Sequence, residues 1–504
     1  MDTDGHEGHG LAQGVVGSVR VVAFGASNVA PAGSVVAGLV IVVSYAGFAS
    51  PLVMLIAFAA SMCCATSIAE FARRLPSAGS LYTYGSRGLG RTGGFLTGWM
   101  MVFAYVLYVP AGIALTSAYT SQLLASALHV TVSAWVLFVI IVGAVAIVAY
   151  LGIKTSSSVD LVVVVGEVAV VAALAITILV SIGPADYSAA VLSPAATPDG
   201  QLTDITNAMI YGITAFAGFE AATALGEEAR NTRRSVPAST IGVVMVTGIF
   251  YLLVVLAEMF GVGREGIPGF VRQGNPLGYL TGRYWSSSAV WAIELVVVLA
   301  GLGFVIATFN VAIRVLFAMG RERVLPGTLA RLSRRRTPII SIAYVAVFAL
   351  MLGLPLTYGY GGTRTFGYIA GAGGLAVVLV YLAVNIAVIR AFRTEFRDEF
   401  SLWRHLLVPA VAVVLFLFPL WGILHPRARH LSDLLHFTAL GWLCLGGIVA
   451  VILRARRPSS FETLGRVFMP ADGQLAYALE PTGDLATSDS GQGGHDTHEG
   501  DGDA

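Results

Sequence analysis

The chain has 504 residues, of which 56% are hydrophobic and only 12% are charged, and its formal net charge is +1 at pH 7. Soluble domains carry about twice that share of charged residues, so the composition excludes an ordinary soluble protein. A net charge this close to zero gives no indication of nucleic-acid binding. Cys63, Cys64 and Cys444 all lie in apolar runs, which excludes a disulfide framework and a paired-cysteine metal site.

Long apolar runs follow one another along most of the chain, and runs of about 18 or more apolar residues predict membrane-spanning helices. Twelve are found, at 19–45, 50–72, 94–125, 133–152, 159–182, 205–227, 237–262, 286–319, 338–356, 365–390, 403–421 and 433–454. The predicted fold class is therefore all-α integral membrane protein with about 12 transmembrane helices. The first run is too long for the core of a signal peptide, so we expect it to be retained as helix 1.

The two ends of the chain differ in composition from the apolar part. Residues 1–17 and 458–504 are rich in Gly, Asp, Ser and Thr, which predicts two disordered cytoplasmic tails around a transmembrane domain at 18–457. Both tails carry short histidine tracts. We favour the interpretation that these histidines are solvated parts of the tails over the alternative that they bind a metal ion. These histidines are His6, His9, His495 and His498.

Basic residues are distributed unequally between alternate loops. Most arginines fall on the side that also holds the N-terminus, and the opposite loops receive only a few. Those few are Arg264, Arg272, Arg283, Arg364, Arg427 and Arg429. The positive-inside rule therefore predicts a multi-pass protein of the cytoplasmic membrane with both termini in the cytoplasm.

Two of the apolar runs contain interruptions at corresponding places. Residues 25–33 break the first run and residues 214–220 break the sixth. Unwound backbone survives in a membrane only where it lines a cavity or binds something. Matching interruptions in two halves of a membrane protein point to a substrate site. The Pro- and Gly-containing stretch 192–204 is the natural boundary between the halves.

The break in helix 1 is centred on a proline. Because Pro31 lacks an amide hydrogen and disfavours a helical Ala30, we expect the helix to unwind there. Amide groups freed at the start of the next half-helix, together with its dipole, suit a carboxylate. The candidate substrate-binding residues are Ser27, Asn28, Val29, Ala30, Pro31 and Ala32. A proline kink that only packs against a neighbouring helix is the alternative.

The break in helix 6 combines small, aromatic and acidic residues. Gly218 allows close backbone approach, and Phe216 and Phe219 are expected to cover a ligand. The candidate binding residues here are Ala215, Phe216, Ala217, Gly218 and Phe219. Glu220 is an ionisable residue near mid-membrane, which is costly unless it has a role. The alternative is a structural carboxylate satisfied by freed backbone amides.

Few other buried ionisable or hydroxyl groups stand out. Glu167 in helix 5, Glu258 in helix 7 and Glu294 in helix 8 are expected to be deep, and Glu258 and Glu294 also lie close enough to helix ends to reach the membrane surface. Tyr105 in helix 3 is a candidate for lining a cavity, with packing between helices as the alternative. No nucleophile elbow, metal-protease or phosphate-binding motif occurs in a usable context, so neither an enzyme nor a cofactor is predicted.

Three segments resemble amino acid permeases of the amino acid–polyamine–organocation superfamily. They are AEFARRLPSAGSLYTYGSRGLGRTGGFLTGW (69–99), YLGIKTSSSVD (150–160) and AFAGFEAATALGEEARNTRRSVP (215–237). The resemblance implies a five-plus-five inverted repeat, at 19–182 and 205–390, with two extra helices at 403–454. It also implies alternating access, with a ligand carboxylate at Ser27 to Ala32 and its amino group at the carbonyls of Ala215 to Ala217.

The resemblance bears on ion coupling as well. Glu220 matches a glutamate that some relatives use in proton-linked or exchange transport. Some proton-coupled relatives carry a lysine in helix 5, where this chain has Glu167, and helix 1 lacks the glycine-rich sequence of many members. A glutamate can bind a proton or help hold sodium, so the coupling ion stays open.

The expected function is secondary transport of amino acids or related amines, with the small-molecule substrate and the lipid bilayer as the only predicted partners. Proton symport is favoured, with Glu220 and Glu167 as the candidate carriers, because burial favours the uncharged form of a carboxylic acid. An amino acid exchanger or a polyamine carrier is the alternative within transport. A membrane sensor that signals through its tail is the alternative outside it.

Overall fold

A computed structural model of the chain describes residues 18–75, 80–152, 157–225, 232–321, 324–335, 337–425 and 431–456. Within these ranges the secondary structure is helical, with no strand. The predictions for the two tails, histidines included, lie outside the described residues. The described part confirms an all-α protein.

The α-helices of the described residues are, in chain order, α1 (Ser18–Val29), α2 (Pro31–Ser34), α3 (Val40–Ala46), α4 (Ser50–Arg74), α5 (Ser80–Leu128), α6 (Ala134–Leu151), α7 (Ser157–Ser181), α8 (Leu202–Thr214), α9 (Thr232–Val262), α10 (Ile267–Val271), α11 (Pro276–Tyr284), α12 (Val290–Arg321), α13 (Ile339–Tyr360), α14 (Gly362–Thr394), α15 (Val408–Leu424) and α16 (Leu431–Arg456). A π-helical turn, Val35–Leu39, joins α2 to α3, and short 3-10 turns occupy the stretch between α7 and α8.

Ten helical segments of the described part are long and apolar enough to cross a membrane. This confirms a multi-pass membrane protein. The pieces of the two interrupted segments are shorter, since α1 has 12 residues and α8 has 13. The third predicted helix begins earlier than expected, because α5 continues back to Ser80 through a kink at Gly90, where φ is 79°.

The centre of the bundle is formed by α5 and α14, which pack against each other along much of their length, while α4 packs on α9. In the middle part of α5, the indole ring of Trp99 stacks on that of Trp442 of α16, with centroids 4.5 Å apart. Each indole N–H donates to the other residue's carbonyl oxygen, at 2.8 and 3.0 Å. These paired contacts fix α16 against α5.

The connection between α9 and α12 is more structured than the sequence predicted. It contains α10 and α11, and the hydroxyl of Tyr284 donates to the carbonyl of Gly261 at 2.8 Å, which holds this connection on the end of α9. Glu258 is 1% exposed and Glu294 is 4% exposed. Both acids are therefore deep, as expected, but they do not reach the membrane surface, because the connection folds back over the helix ends.

Candidate functional site

The first helix breaks at Ala30, whose φ of 45° and ψ of 69° are left-handed. The amide of Ala30 still donates to the carbonyl of Ala26 at 3.1 Å, so α1 keeps its last turn. The hydroxyl of Ser34 donates to the carbonyl of Val29 at 2.9 Å and bridges the break. Pro31 then begins the second half of the helix, in agreement with the sequence prediction.

The second half of helix 1 is continuous from Pro31 to Ala46 through the π-helical turn. The first turn of a helix leaves its amide groups without a carbonyl one turn earlier. Here those groups belong to Ala32 and Gly33, since Pro31 has none. The break thus places two amide donors at the positive end of a helix, an arrangement that suits a carboxylate.

The sixth helix breaks after Thr214, where α8 ends, and resumes as a 3-10 turn, Phe219–Leu225. Gly218 has a φ of 109°, and a Cβ atom at that position would lie 2.7 Å from the carbonyl oxygen of Asn28. The two breaks therefore touch through their backbones. Glycine is required at this position for its conformation and for the close approach.

The carbonyl groups freed by the second break are partly used within the protein. The hydroxyl of Tyr251 donates to the carbonyl of Ala215 at 2.8 Å. The carbonyl of Thr214 accepts from the amide of Ala217 at 3.0 Å, which closes a tight turn. Tyr251 thus anchors the unwound segment to α9.

Glu220 lies directly after this break and is 3% exposed. One carboxylate oxygen accepts from the hydroxyl of Tyr105 at 2.7 Å. The other accepts from the hydroxyl of Tyr381 at 2.7 Å and from the amide of Gly218 at 3.0 Å. The carboxylate therefore joins the broken helix to α5 and α14 through three donors.

A cavity of about 50 Å³ lies between the two breaks. Five helices or interrupted segments contribute to its wall. The lining residues are Val29, Ala30, Gly33, Ser34, Gly38, Tyr108, Gly112, Leu115, Tyr211, Thr214, Ala215, Ala217, Gly301, Phe304, Phe366 and Ala370. None of these side chains is charged, and the polar ones carry only hydroxyl groups.

The structure places four of the predicted binding residues, Val29, Ala30, Ala215 and Ala217, on the cavity wall. The others lie in or near the breaks without lining the cavity: Ser27, Asn28, Pro31, Ala32, Tyr105, Phe216, Gly218 and Phe219. Phe216 packs between Phe58 and Tyr251, with ring centroids at 6.1 and 5.1 Å. Phe219 packs on Tyr381 at 5.3 Å.

The wall opposite the breaks includes two glycines that the sequence did not connect with the site. Gly112 on α5 and Gly301 on α12 both line the cavity. A Cβ atom on Gly112 would lie 2.8 Å from the ring of Phe304, and one on Gly301 would lie 2.4 Å from the hydroxyl of Thr116. The available signal was small residues inside long apolar helices, which marks close helix packing as readily as a binding site.

Glu167 contrasts with Glu220 in its surroundings. It is 3% exposed on α7, and neither of its carboxylate oxygens has a hydrogen-bond partner among the described residues. Because α7 packs on α1, α2 and α12, Glu167 belongs to the side of the bundle that holds the first break. It also lies within electrostatic range of Tyr251.

Two discontinuous helices that meet at a buried cavity inside a bundle of membrane helices define a transporter architecture. The chain belongs to the amino acid permease family, whose model matches residues 21–425. The similarity recognised in the three sequence segments is thereby confirmed over most of the chain.

Three relatives show the range of this family. The chain is 25% identical to the branched-chain amino acid permease BcaP of Bacillus subtilis over 316 residues, which cover 59% of this chain and 65% of that relative. It is 25% identical to the methylthioribose transporter of Bacillus subtilis over 422 residues, which cover 80% of this chain and 85% of that relative. It is 25% identical to the low-affinity putrescine importer PlaP of Escherichia coli over 296 residues, which cover 57% of this chain and 63% of that relative. For the first and third, the match spans just under two thirds of the relative.

Proposed function

We propose that this protein is a secondary active transporter that moves amino acids across the cytoplasmic membrane by alternating access. The observation that carries the proposal is the cavity between the two helix breaks. The proposed layout has twelve crossings in five-plus-five inverted repeats and both termini in the cytoplasm. Ten candidate spans and the two interrupted helices support it. Ligand binding shifts the population toward conformers in which the breaks close on the ligand.

The substrate in this proposal is a neutral amino acid with an apolar side chain. Alanines, glycines, a leucine and two phenylalanines dominate the cavity wall, and no charged side chain lines it. A polyamine carries several positive charges and needs carboxylates or many carbonyl groups around it. The nearby carboxylate of Glu220 already accepts three hydrogen bonds. The wall therefore favours the branched-chain relative over the putrescine importer as a guide to substrate class.

The main-chain groups of the substrate would meet main-chain groups of the protein. The amides of Ala32 and Gly33, at the start of a half-helix, would hold the carboxylate. The amino group would meet the carbonyls of Ala215 to Ala217. Gly33, Ala215 and Ala217 line the same cavity, which supports this orientation.

Proton symport is the proposed energy source, with Glu220 and Glu167 as candidate carriers. Glu167 is favoured, because its oxygens lack partners among the described residues and it stands beside the first break. An exchanger that uses no ion gradient is the alternative mode of transport.

The test is uptake of labelled branched-chain amino acids, charged amino acids and putrescine into proteoliposomes. A proton gradient, a sodium gradient or internal substrate would be imposed in turn. The proposal expects accumulation of neutral apolar amino acids under a proton gradient, and Glu167→Gln should abolish accumulation while leaving exchange intact.

Four results would contradict parts of the proposal. Accumulation driven by the sodium gradient would identify sodium, and not the proton, as the coupling ion. Flux only with internal substrate would identify an exchanger. Preference for putrescine would overturn the substrate class. Absence of any flux would favour a sensor, which deletion of residues 458–504 would silence while leaving ligand binding unchanged.

A further inference from the structure

Glu258 and Glu294, the two acids that the connection between α9 and α12 buries, stand apart from the substrate cavity. Glu258 lies one helical turn before the end of α9, and Glu294 lies one turn after the start of α12. Neither lines the cavity between the breaks. In the proposed orientation both lie toward the outer face of the membrane.

Glu294 is held in place by neighbours that are themselves fixed. One of its oxygens accepts from the hydroxyl of Ser126, and the other accepts from the amide of Asn275 at 2.9 Å. The side-chain oxygen of Asn275 in turn accepts from the amide of Gly278 at 2.9 Å, which caps the start of α11. The carboxylate therefore connects α5, α11 and α12.

Several buried oxygens near these acids have no partner among the described residues. They are both carboxylate oxygens of Glu258, the hydroxyl of Tyr119 and the amide oxygen of Gln122. Glu258 is 1% exposed and Tyr119 is fully buried. Buried polar groups in folded proteins are almost always satisfied, so oxygens without protein partners are suited to an ion or a polar ligand.

The positions of these groups bring them to one place. Tyr119, Gln122 and Ser126 are spaced by three and four residues, so they lie on one face of α5. Ser126 on that face contacts Glu294, and Tyr119 lies within electrostatic range of both Glu258 and Glu294. The amide of Gln122 donates to the carbonyl of Gly274 at 3.4 Å, beside Asn275. The hydroxyl of Tyr119 thus lies near both carboxylates, and Gln122 shares its face of α5.

The charge of this cluster is not balanced by protein groups. Among the described residues, every ion pair involves Glu70, Glu395 or Glu399 at the other end of the bundle, and none involves Glu258 or Glu294. Two buried carboxylates without a cation are costly. Carboxylate, hydroxyl and amide oxygens are the ligands of hard cations.

From this arrangement we infer that the cluster of Glu258, Glu294, Tyr119 and Gln122 binds an alkali-metal cation, with sodium as the probe. The ion fixes the connection that holds α10 and α11 against the ends of α5, α9 and α12. This site is distinct from Glu167 and from the substrate cavity, and its role is to stabilise the closed connection. It does not depend on which substrate is transported.

The test uses the full-length purified protein in lipid nanodiscs, without substrate. Its melting temperature would be measured against increasing NaCl, with choline chloride keeping the ionic strength constant. A bound ion raises the melting temperature in a concentration-dependent way. We expect a saturable rise with sodium in the parent protein, loss of the rise in Glu258→Gln, and a sodium midpoint about threefold higher in Tyr119→Phe.

Glu167→Gln is the matched control, because it also neutralises a buried carboxylate without partners. It should keep the sodium-dependent rise. Absence of a rise in the parent protein overturns the inference. A rise that disappears in Glu167→Gln but persists in Glu258→Gln overturns it as well, since the ion then sits beside the first break. Because no flux is measured, failure of the proposed transport leaves this test intact.

Discussion

Glu220 and Glu167 are two carboxylates at almost the same burial, each beside a broken helix, and they differ in their partners. Glu220 receives three hydrogen bonds from Tyr105, Tyr381 and Gly218. Glu167 receives none from the described residues. A carboxylate with three donors holds its surroundings together, whereas one without partners is available to a mobile ligand. Burial alone therefore does not identify which acid carries an ion.

The largest effect on stability is expected from Glu220→Gln. The amide places a hydrogen-bond donor where the protein already supplies donors, and an unsatisfied buried group costs about 1–3 kcal/mol. Initial uptake rates in proteoliposomes should fall about 10- to 100-fold, with a lower melting temperature. Glu265→Gln, at an exposed position in the connection after α9, is the control and should change neither. A fully active Glu220→Gln would remove the distinction between the two acids.

The next effect concerns the backbone that carries Glu220. Gly218→Ala introduces a methyl group 2.7 Å from the carbonyl of Asn28 and forces an unfavourable φ of 109°. Strain of this kind costs about 1–3 kcal/mol, so the melting temperature and the uptake rate should both fall. Gly143→Ala adds a methyl group to α6 where no atom lies within 4 Å. That control should be neutral or slightly stabilising, and equal behaviour of the two variants would refute the close contact between the breaks.

Removal of single donors should have smaller effects. Tyr381→Phe and Tyr105→Phe each remove one of three hydrogen bonds to Glu220, worth about 0.5–1.5 kcal/mol. Uptake should fall about two- to tenfold in each, less than in Glu220→Gln. The double variant, measured with the two singles as a thermodynamic cycle, shows whether the two hydroxyl groups act together. A loss in either single variant as large as in Glu220→Gln would mean that the tyrosine itself contacts the substrate.

The smallest effect on stability is expected at the other acid. Glu167→Gln removes a buried carboxylate that has no partner to lose, so the melting temperature should stay the same or rise. The melting temperature of Glu220→Gln, measured alongside by the same thermal unfolding in nanodiscs, should fall. A marked destabilisation by Glu167→Gln would show that its carboxylate holds the bundle together as that of Glu220 does.

Local sequence features were sufficient to predict both breaks. Pro31 cannot donate an amide hydrogen and Gly218 permits a positive φ, and both properties favour unwinding at these positions. The partners of Glu220 could not be predicted, since Tyr381 lies 161 positions further along the chain. The same holds for Gly112 and Gly301 on the cavity wall. Tertiary contacts between distant helices leave no periodic signal in either segment.

The access of Glu258 and Glu294 to the membrane surface was overestimated for a related reason. Distance from a helix end predicts access to the membrane surface only if the following connection leaves that end open. Here the connection forms α10 and α11 and returns over the helix ends. A run of Gly, Pro and polar residues gave no indication of that return.

The π-helical turn Val35–Leu39 directly follows the first break, and Gly38 within it lines the cavity. A π-helical turn closes over one residue more than an α-helical turn. If this turn tightened to α-helix, the spare residue would pass along the chain, and the segment on one side would rotate by about 100° and advance by about 1.5 Å. The π-helical turn in the cavity wall is therefore a point where the helix can shift by one residue. Such a shift would change the direction of every side chain beyond the turn.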